Sequence, residues 1–349
     1  MDDPVPVGGG GVRLPRALDD GHLEVSCVGM GTWAWGAPKW GWGTWDKQLT
    51  SKSVMAAWDA FVAAGGGLVD TSDDYGGGLS EKLIGEGMRR RNRANVHVAT
   101  KGSSRPSQLV AAAKASCLRL GIERVSLYQL HSVIEPIDAA ADALADIAEQ
   151  RLAECIGVCN FTITQLERLR KRLAARGVRL ASCQAHASLL AQQPFMRGAQ
   201  QPQQPSLHEW CRQHGVVLIA YAPLASGRLA RRIVEQPPCS TRAALTLAPD
   251  LVAPDKRGFG AGADVASLAP LLRRLAGGES GDGVPARAAL RWLTAHDGVI
   301  AIPGCKTAAQ VVENLSARRN DVDDVQLAPE QLEALGAAAR AITGTRLKR

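Results

Sequence analysis

The sequence lacks several features that would place it in a specialised class of protein. No stretch approaches the roughly 18 uninterrupted apolar residues that a membrane-spanning helix needs, so we expect no membrane partner. Residues 1–12 lack the basic segment and apolar core of a secretory signal. We therefore expect a cytoplasmic protein, with the plastid stroma as the alternative location if a transit peptide has been removed. Hydrophobic content of 46% and charged content of 21% are ordinary for a soluble globular protein.

Metal-binding patterns and disulfide frameworks are also missing. The eight cysteines are scattered, and only Cys155 and Cys159 flank a short apolar run, with no second pair at zinc spacing. Several cysteines stand inside apolar segments as single small residues, which is typical of buried thiols in a reducing compartment. The sequence thus predicts neither disulfides nor a metal site.

The net charge of +7 has no pattern that predicts nucleic-acid binding. The densest basic groups, 89–93 and 168–179, fall at helix ends and on predicted exposed faces without interleaved aromatic residues. A modest positive field would also suit a phosphorylated cofactor. No G-x-G-x-x-G follows a strand, since the glycine runs at 65–67 and 76–78 have the wrong spacing and context for a Rossmann site.

Apolar runs of strand length recur along the chain and alternate with helical patterns. The predicted strands are 24–28, 68–70, 96–100, 125–130, 155–158, 180–184, 216–220 and 299–302. The clearest predicted helices are 51–64, 106–120, 163–175 and 308–318. Eight such repeats favour a single-domain α/β protein with the (β/α)₈ TIM-barrel fold over an open doubly wound sheet.

Several segments lie outside this repeat. Residues 1–22 are predicted to be an N-terminal extension with a hairpin, 13–22, that closes the barrel floor, leaving 23–349 as the barrel with its C-terminal helix. Long loops are predicted after strands 1, 6 and 7, the last two at 192–205 and 222–298. Loops of that length are often lids or disordered, and we expect them beside the active face.

Four polar residues stand at or just after the ends of three successive predicted strands. They are Asp70, Tyr75, Lys101 and His131. Because parallel strands direct their carboxyl ends to one face, we expect these side chains to converge at one rim.

A carboxylate, a phenol, an ammonium and an imidazole at one rim suggest proton transfer to a carbonyl oxygen. Tyr75 would act as general acid, and Lys101 would favour its phenolate form by lowering the pKa of the phenol. Asp70 would keep Lys101 charged, and His131 would orient the substrate oxygen or share in the relay. In the alternative, Asp70 and Lys101 form a structural ion pair and Tyr75 only packs.

The chain resembles the aldo-keto reductase family, in the branch that includes plant and bacterial pyridoxal reductases, from about residue 23 to 317. The resemblance rests on seven ordered motifs: 29–33, 70–76 with Ser80-Glu81, 99–101, 129–131, 156–161, 221–229, and 302–304 with Glu313-Asn314. It implies a (β/α)₈ barrel, a catalytic Asp-Tyr-Lys-His tetrad and NADPH-dependent carbonyl reduction. Independently, the loops at 221–229 and 302–307 offer amides, hydroxyls and cations suited to phosphates.

By motif position, the resemblance also implies where NADP(H) binds. Cys159, Asn160 and Gln184 resemble the residues that hold the nicotinamide carboxamide, and Tyr221 resembles the ring stacked on the nicotinamide. The remaining cofactor positions are Gly31, Thr32, Trp33, Leu224, Ser226, Gly304, Lys306, Thr307, Gln310, Glu313 and Asn314.

Three residues depart from the family pattern. Cys159 replaces a serine, and Gln310 stands where many members place an arginine against the adenosine 2′-phosphate, so that Lys306 would act there as a point charge. His186 stands where relatives often have tyrosine or asparagine, and we expect it to be a pocket-rim or surface residue rather than a second catalyst.

Five of the eight tryptophans crowd the loop after the first predicted strand. Trp33, Trp35, Trp40 and Trp42 are predicted to line an apolar substrate pocket suited to flat aldehydes or ketones. Alternatively, Trp40, Trp42 and Trp45 anchor an extended loop on the rim.

The sequence therefore predicts an NADPH-dependent oxidoreductase that reduces an aldehyde or ketone, such as a ring-bearing aldehyde of the pyridoxal type. The alternative is an NADP(H)-binding regulatory or sensor subunit with slow or vestigial turnover. A scaffold without catalysis is disfavoured because all four tetrad positions are filled. A small carbonyl compound is the expected partner, and the chain is expected to be a monomer or a weak homo-oligomer.

Overall fold

The structure is a computed structural model of the chain. It describes residues 11–90, 95–198, 202–230, 265–277, 284–318 and 327–344. The connection predicted at 222–298 is therefore described only in part, and 1–10 of the predicted N-terminal extension, with Cys239, lie outside the described residues. The seven cysteines within these ranges are buried and form no disulfide.

The predicted (β/α)₈ barrel is confirmed. Two strands form an antiparallel hairpin, β1 (Gly11–Pro15) and β2 (His22–Ser26). The barrel strands are β3 (Met30–Gly31), β4 (Gly67–Asp70), β5 (Val96–Gly102), β6 (Val125–Leu130), β7 (Ala153–Cys159), β8 (Leu180–His186), β9 (Val217–Tyr221) and β10 (Val299–Ile302). They pair in parallel in chain order, and bridges from Val28 to Ala301 and from Gly31 to Gly304 join the first strand to the last.

Helices between the strands cover the outside of the barrel. They are α1 (Ser51–Ala63), α2 (Leu79–Arg90), α3 (Pro106–Leu120), α4 (Ile137–Glu149), α5 (Ile163–Ala174), α6 (Leu207–Gln213), α7 (Ala269–Gly277), α8 (Pro285–Thr294), α9 (Ala308–Leu315) and α10 (Pro329–Gly344). Local chemistry fixes several ends. Thr50 and Thr162 form capping boxes before α1 and α5, and Gly121 ends α3 in the left-handed region that glycine favours.

The first predicted strand is wrong. Residues 24–28 were expected to open the barrel, but most of that segment belongs to β2, which pairs antiparallel with β1. The barrel itself opens with β3, which is only two residues long. The predicted hairpin is present but reaches Ser26, beyond the expected boundary at residue 22, because its apolar residues find partners inside the barrel.

The hairpin closes the amino-terminal end of the barrel, here called the floor. Leu14, Leu23 and Val25 are buried in one apolar cluster with interior-facing residues of the barrel strands, including Leu127 and Ile219. The Arg179 guanidinium secures the turn of the hairpin by donating to the carbonyl oxygens of Arg16 and Gly21 at 3.0 Å each. The opposite, carboxyl-terminal end of the barrel, here called the mouth, is where the candidate site lies.

The long connection after β9 is partly ordered into helices. It holds α7 and α8 in its second half, so the described part differs from the lid or disordered loop expected there. The loop after β8 is tied to the C-terminal helix, because the buried Gln192 amide donates to the Gly336 carbonyl oxygen of α10 at 3.0 Å.

Candidate active site

Strand register brings the four predicted catalytic residues to the mouth. Asp70 ends β4, Lys101 lies opposite Gln129 of β6, and His131 directly follows β6. The His131 backbone N–H donates to the Gly102 carbonyl oxygen at 3.0 Å, which extends the ladder by one residue. Successive parallel strands therefore place these side chains side by side.

Lys101 is the centre of the group. Its ammonium is fully buried and donates to the Asp70 Oδ1 at 2.6 Å, to the Thr71 carbonyl oxygen at 2.8 Å and to the Tyr75 hydroxyl oxygen at 3.1 Å. These three acceptors match the three donors of an ammonium group. Tyr75 does not merely pack beside an ion pair, since its hydroxyl oxygen accepts a hydrogen bond from the Lys101 ammonium.

A tight turn presents Tyr75 to Lys101. Residues Tyr75–Gly78 form a short 3-10 turn that leads into α2, and Gly76 adopts φ of +59°. A Cβ atom on Gly76 would come within 2.6 Å of the Gly36 backbone. Glycine is required here both by the left-handed conformation and by the contact with the loop after β3.

His131 lies edge-on to Tyr75, with the two ring centroids 5.7 Å apart. Its Nδ1 lies 3.1 Å from the Ser72 Oγ and 3.6 Å from a carboxylate oxygen of the exposed Asp74. Neither partner was predicted from the sequence, although both belong to the turn between Asp70 and Tyr75. Their contacts with Nδ1 fix the imidazole plane relative to the phenol.

The electrostatics of the group keep the amine charged and the phenol neutral. Burial alone would lower the pKa of Lys101, but attraction to Asp70 and Tyr75 outweighs it and raises that pKa. Burial, reinforced by Asp70, raises the pKa of Tyr75 despite the nearby Lys101. Lys101 does act to lower the pKa of Tyr75, as expected, but desolvation by burial is the larger effect and the net pKa is raised. Burial and the Lys101 charge lower the pKa of His131, which favours a neutral imidazole.

Two amides hold the second oxygen of the Asp70 carboxylate. Gln184 Nε2 donates to Asp70 Oδ2 at 2.9 Å, and Gln129 Nε2 approaches the same oxygen at 3.4 Å. The resemblance placed Gln184 against a cofactor, whereas its amide nitrogen here contacts the carboxylate. Gln129 was not predicted as a site residue. The sequence does contain a feature that could have identified it: Gln129 is a polar residue at an interior position of an apolar strand, two residues after Leu127.

Beside the tetrad, three partly solvent-exposed side chains contact one another. The Tyr221 hydroxyl donates to the exposed Asn160 Oδ1 at 3.1 Å, and Asn160 adopts φ of +63°. His186 stacks on the Tyr221 ring, with centroids 5.5 Å apart. The structure thus brings the predicted nicotinamide contacts Asn160 and Tyr221 together, and His186, the last residue of β8, lies against the Tyr221 ring.

The loops after β9 and β10 contribute accessible backbone and polar groups. Ser226 is exposed with φ of +57°, and Gly304 is exposed with open space where a Cβ would lie. Thr307 caps α9 by accepting from the Gln310 N–H, while the Gln310 side chain accepts from the Lys306 N–H. Glu313 is half-buried on α9.

Lys306 has a carboxylate partner that the sequence did not reveal. Its Nζ lies 2.8 Å from the Asp46 Oδ2, which joins the loop after β10 to the loop after β3. This pairing, together with hydrogen bonds from the backbone, lowers the pKa of Asp46 although partial burial opposes the change. The positive charge of Lys306 is therefore partly neutralised by Asp46 in this structure.

Several predicted cofactor positions lie beneath the surface. The Thr32 hydroxyl is fully buried between the Asp70 carbonyl oxygen and Ser80, and the Asn314 amide contacts the Cys305 sulfur at 3.3 Å. Cys159 is buried with its sulfur 3.9 Å from the Gln129 Oε1. Gly31 and Leu224 are also buried. The Thr32, Asn314 and Cys159 side chains support the walls of the site and are not open to a ligand in this structure.

The tryptophan loop divides into exposed and buried members. Trp33 is 40% exposed and packs on the half-buried Trp40 with ring centroids 4.4 Å apart, while Trp45 is 51% exposed. Trp42 packs partly against the core. The prediction that Trp35 lines the pocket is wrong. It is fully buried, and its indole N–H donates to the Cys305 carbonyl oxygen at 2.7 Å, so it anchors the loop.

Among the helices of the described ranges, none is long and apolar enough to cross a membrane. Across those same residues, His, Cys, Asp and Glu side chains form no group of three that could hold a metal ion.

Comparison with known proteins gives matches across most of the chain. A model described as the Aldo/keto reductase family matches residues 27–333. An uncharacterized oxidoreductase of Mycobacterium tuberculosis is 32% identical, covering 92% of this chain and 92% of its own. The chloroplastic pyridoxal reductase of Arabidopsis thaliana is 32% identical, covering 85% of this chain and 80% of its own.

Solved structures share the fold at lower identity. A glycerol dehydrogenase from Gluconobacter oxydans superposes with a TM-score of 0.69 at 22% identity, covering 96% of this chain and 97% of its own. An aldo-keto reductase from Klebsiella pneumoniae, solved in complex with NADPH, has a TM-score of 0.67 at 21% identity, covering 95% and 96%. With the family model matching residues 27–333, this chain belongs to the aldo/keto reductase family.

Proposed function

We propose that this chain is an NADP(H)-dependent oxidoreductase that reduces the carbonyl group of an aldehyde or ketone, with Tyr75 as general acid. The observation that carries the proposal is that the buried Lys101 ammonium donates hydrogen bonds to both the Asp70 carboxylate and the Tyr75 hydroxyl oxygen. A phenol oxygen that accepts from an ammonium keeps its own hydrogen for a second acceptor. A carbonyl oxygen at the mouth would be that acceptor.

Tyr75 has a proton to give. A phenol is protonated at neutral pH, and burial raises its pKa further, while Lys101 acts in the opposite direction and favours loss of the proton. As the carbonyl carbon gains hydride, its oxygen becomes more basic and takes the Tyr75 proton, which yields the alcohol. The Lys101 ammonium would then stabilise the phenolate that remains, until solvent returns the proton. His131, with Nδ1 directed to Ser72, would offer Nε2 to the substrate oxygen.

The residues beside the tetrad fit a nicotinamide dinucleotide. Tyr221 offers a half-exposed ring and Asn160 an exposed amide, while Ser226 and Gly304 leave accessible backbone along the rim. When bound, NADPH supplies the hydride. The Klebsiella pneumoniae relative of the same fold was solved with NADPH, which supports this choice of cofactor.

The exposed Trp33 and the half-buried Trp40 favour a flat, ring-bearing substrate. Trp33 and Trp40 form an apolar surface on the loop after β3, and aromatic walls bind planar groups while excluding water from the reacting atoms. One relative is named a pyridoxal reductase, so pyridoxal belongs among the first aldehydes to test.

The test follows NADPH absorbance while the purified protein is offered a panel of aromatic aldehydes, pyridoxal among them. Tyr75→Phe keeps the ring but removes the acid, so it should lower kcat by about 100- to 10,000-fold. NADPH affinity, measured by fluorescence titration, should stay within about twofold. Full activity in Tyr75→Phe would overturn the mechanism. Tight NADPH binding without turnover of any carbonyl compound would favour the regulatory alternative.

A further inference from the structure

The reaction proposed above leaves one fully buried amide in the barrel interior unexplained. Gln129 is 0% exposed and faces the barrel interior two residues after Leu127, which belongs to the apolar floor cluster. Burying an amide among apolar side chains is costly unless its donors and acceptor find partners. Its partners therefore explain its presence.

Among the described residues, the Gln129 side chain has hydrogen-bond contacts with Asp70 of the tetrad and with Gln184 and Cys159. Its Nε2 lies 3.4 Å from the Asp70 Oδ2. Its Oε1 lies 3.4 Å from the Gln184 Nε2 and 3.9 Å from the Cys159 sulfur. Because a carboxylate only accepts and a thiol is here the donor, these neighbours fix which way the amide points.

Through these contacts, Gln129 constrains Asp70 twice. It approaches the Oδ2 oxygen directly, and it holds Gln184, whose Nε2 donates to the same oxygen at 2.9 Å. With Oδ2 held by two amides, Oδ1 stays directed at the Lys101 Nζ, 2.6 Å away. Lys101 in turn contacts the Tyr75 hydroxyl.

The fold leaves room for this side chain. Gly157 of β7 lies opposite Gln129 in the strand register. A Cβ atom on Gly157 would stand 2.2 Å from the Ser182 Oγ and 3.0 Å from the Gln129 Cγ. Glycine at 157 therefore leaves space for both of these side chains.

We infer that Gln129 is a positioning residue for the proposed reaction, which fixes the Asp70 carboxylate and thereby the Lys101–Tyr75 contact. The inference rests on the proposed function for its kinetic consequence, but its geometric consequence at Tyr75 is measurable without any substrate.

The substitution Gln129→Met keeps length and volume but removes both amide contacts. We expect kcat to fall about tenfold, the effect of about 1.4 kcal/mol at the transition state, with KM within twofold. The matched control is Leu127→Ala on the same strand, which should lower stability and leave kcat unchanged. A kcat for Gln129→Met within twofold of wild type would overturn the inference.

Gln129→Glu provides a conservative variant with a pH signature. A protonated glutamic acid can donate to Asp70 as the amide does, whereas its ionised form would repel the carboxylate. Burial and the nearby Asp70 raise the pKa expected for such a group. The activity of Gln129→Glu relative to wild type should therefore be largely retained at pH 6 and fall about tenfold by pH 9. The activity of Gln129→Met relative to wild type should not change with pH. A flat ratio for both variants would contradict positioning.

A second measurement separates this inference from the proposed function. The chain has three tyrosines, so labelling tyrosine with ¹³C at the ζ carbon gives three NMR signals that Tyr→Phe variants assign. The Tyr75 signal should move in Gln129→Met while those of Tyr128 and Tyr221 stay in place. If no carbonyl turns over, the proposed function fails but this shift still supports the positioning role. An unmoved Tyr75 signal overturns it.

Discussion

The two halves of the barrel interior are built from the same strands with opposite chemistry. On β5 and β6, Ala99 and Leu127 belong to the apolar cluster that the hairpin completes, while Lys101 and Gln129 follow two residues later on the same interior face. A spacing of two residues along one strand thus separates the apolar floor from the charged mouth. Packing in the lower half is non-directional, whereas the upper half depends on specific hydrogen bonds.

This contrast shows which half stabilises the fold. Removing apolar surface from water contributes about 25 cal/mol per Å², so the floor cluster adds directly to stability. A buried ion pair roughly balances desolvation against attraction, and it becomes costly when one partner is removed. The Asp70–Lys101 pair therefore adds little net stability, and what it contributes is a charged amine beside a phenol.

Removing Lys101 should have the largest effect on stability. Lys101→Met leaves the buried Asp70 carboxylate without its cation, so we expect a loss of about 3 to 5 kcal/mol in the free energy of unfolding, together with loss of activity. The double variant Asp70→Asn/Lys101→Met removes the unpaired charge and should recover much of the stability but none of the activity. Urea denaturation and NADPH consumption measure the two quantities.

The matched control uses an exposed ion pair of good geometry. Arg168 donates through two nitrogens to both oxygens of Asp138, at 2.9 and 3.0 Å, on the surface between α5 and α4. Because solvent screens such pairs, Arg168→Ala should leave the urea midpoint unchanged. Equal midpoints for Lys101→Met and wild type would break the comparison between floor and mouth.

The floor should show the reverse pattern of stability and activity. Leu14 is fully buried where β1 packs into the barrel, so Leu14→Ala should cost about 2 to 4 kcal/mol of unfolding free energy by leaving a cavity. Its kcat and NADPH affinity should match those of wild type at temperatures where the variant is folded. A large fall in kcat without loss of stability would mean that the floor also positions the mouth.

Much of the fold could be predicted because it follows local rules. Helix α3 was predicted with the bounds that the structure gives it, since proline at its start and Gly121 at its end punctuate a clear pattern. The first barrel strand could not be predicted, because β3 has two residues and no periodicity to detect. The β2 segment has that periodicity, but its partners are the floor cluster and β1.

The candidate site was predictable only where strand ends define it. Asp70, Lys101 and His131 stand at such ends, and Tyr75 follows in the next turn. The Asp46 partner of Lys306 lies 260 residues away in sequence, in a loop without regular structure. Trp35 differs from Trp33 in exposure only because the loop turns between them, and composition carries no signal for that turn. The direction of the Tyr75 pKa shift depended on burial, which needs coordinates.

The smallest expected effect on the free energy of unfolding comes from lowering the pH. Burial lowers the pKa of His186, at the mouth end of β8, from 6.5 to about 4. Between those values the unfolded chain takes up a proton that the folded chain does not, so this residue makes stability fall as pH drops from about 6.5 to 4. We expect His186 to account for about 2 kcal/mol of the wild-type loss between pH 7 and pH 4.5.

Urea denaturation of wild type and His186→Gln at both pH values isolates this contribution. Contributions that the two proteins share cancel in this comparison, and the pH 7 difference accounts for lost stacking on Tyr221. His186→Gln should lose about 2 kcal/mol less than wild type on acidification, whereas Leu14→Ala should lose as much as wild type because its cavity is apolar and does not titrate. If His186→Gln were as acid-sensitive as wild type, the burial of this imidazole would not govern the acid response, and the mouth would differ from the floor in chemistry but not in its dependence on pH.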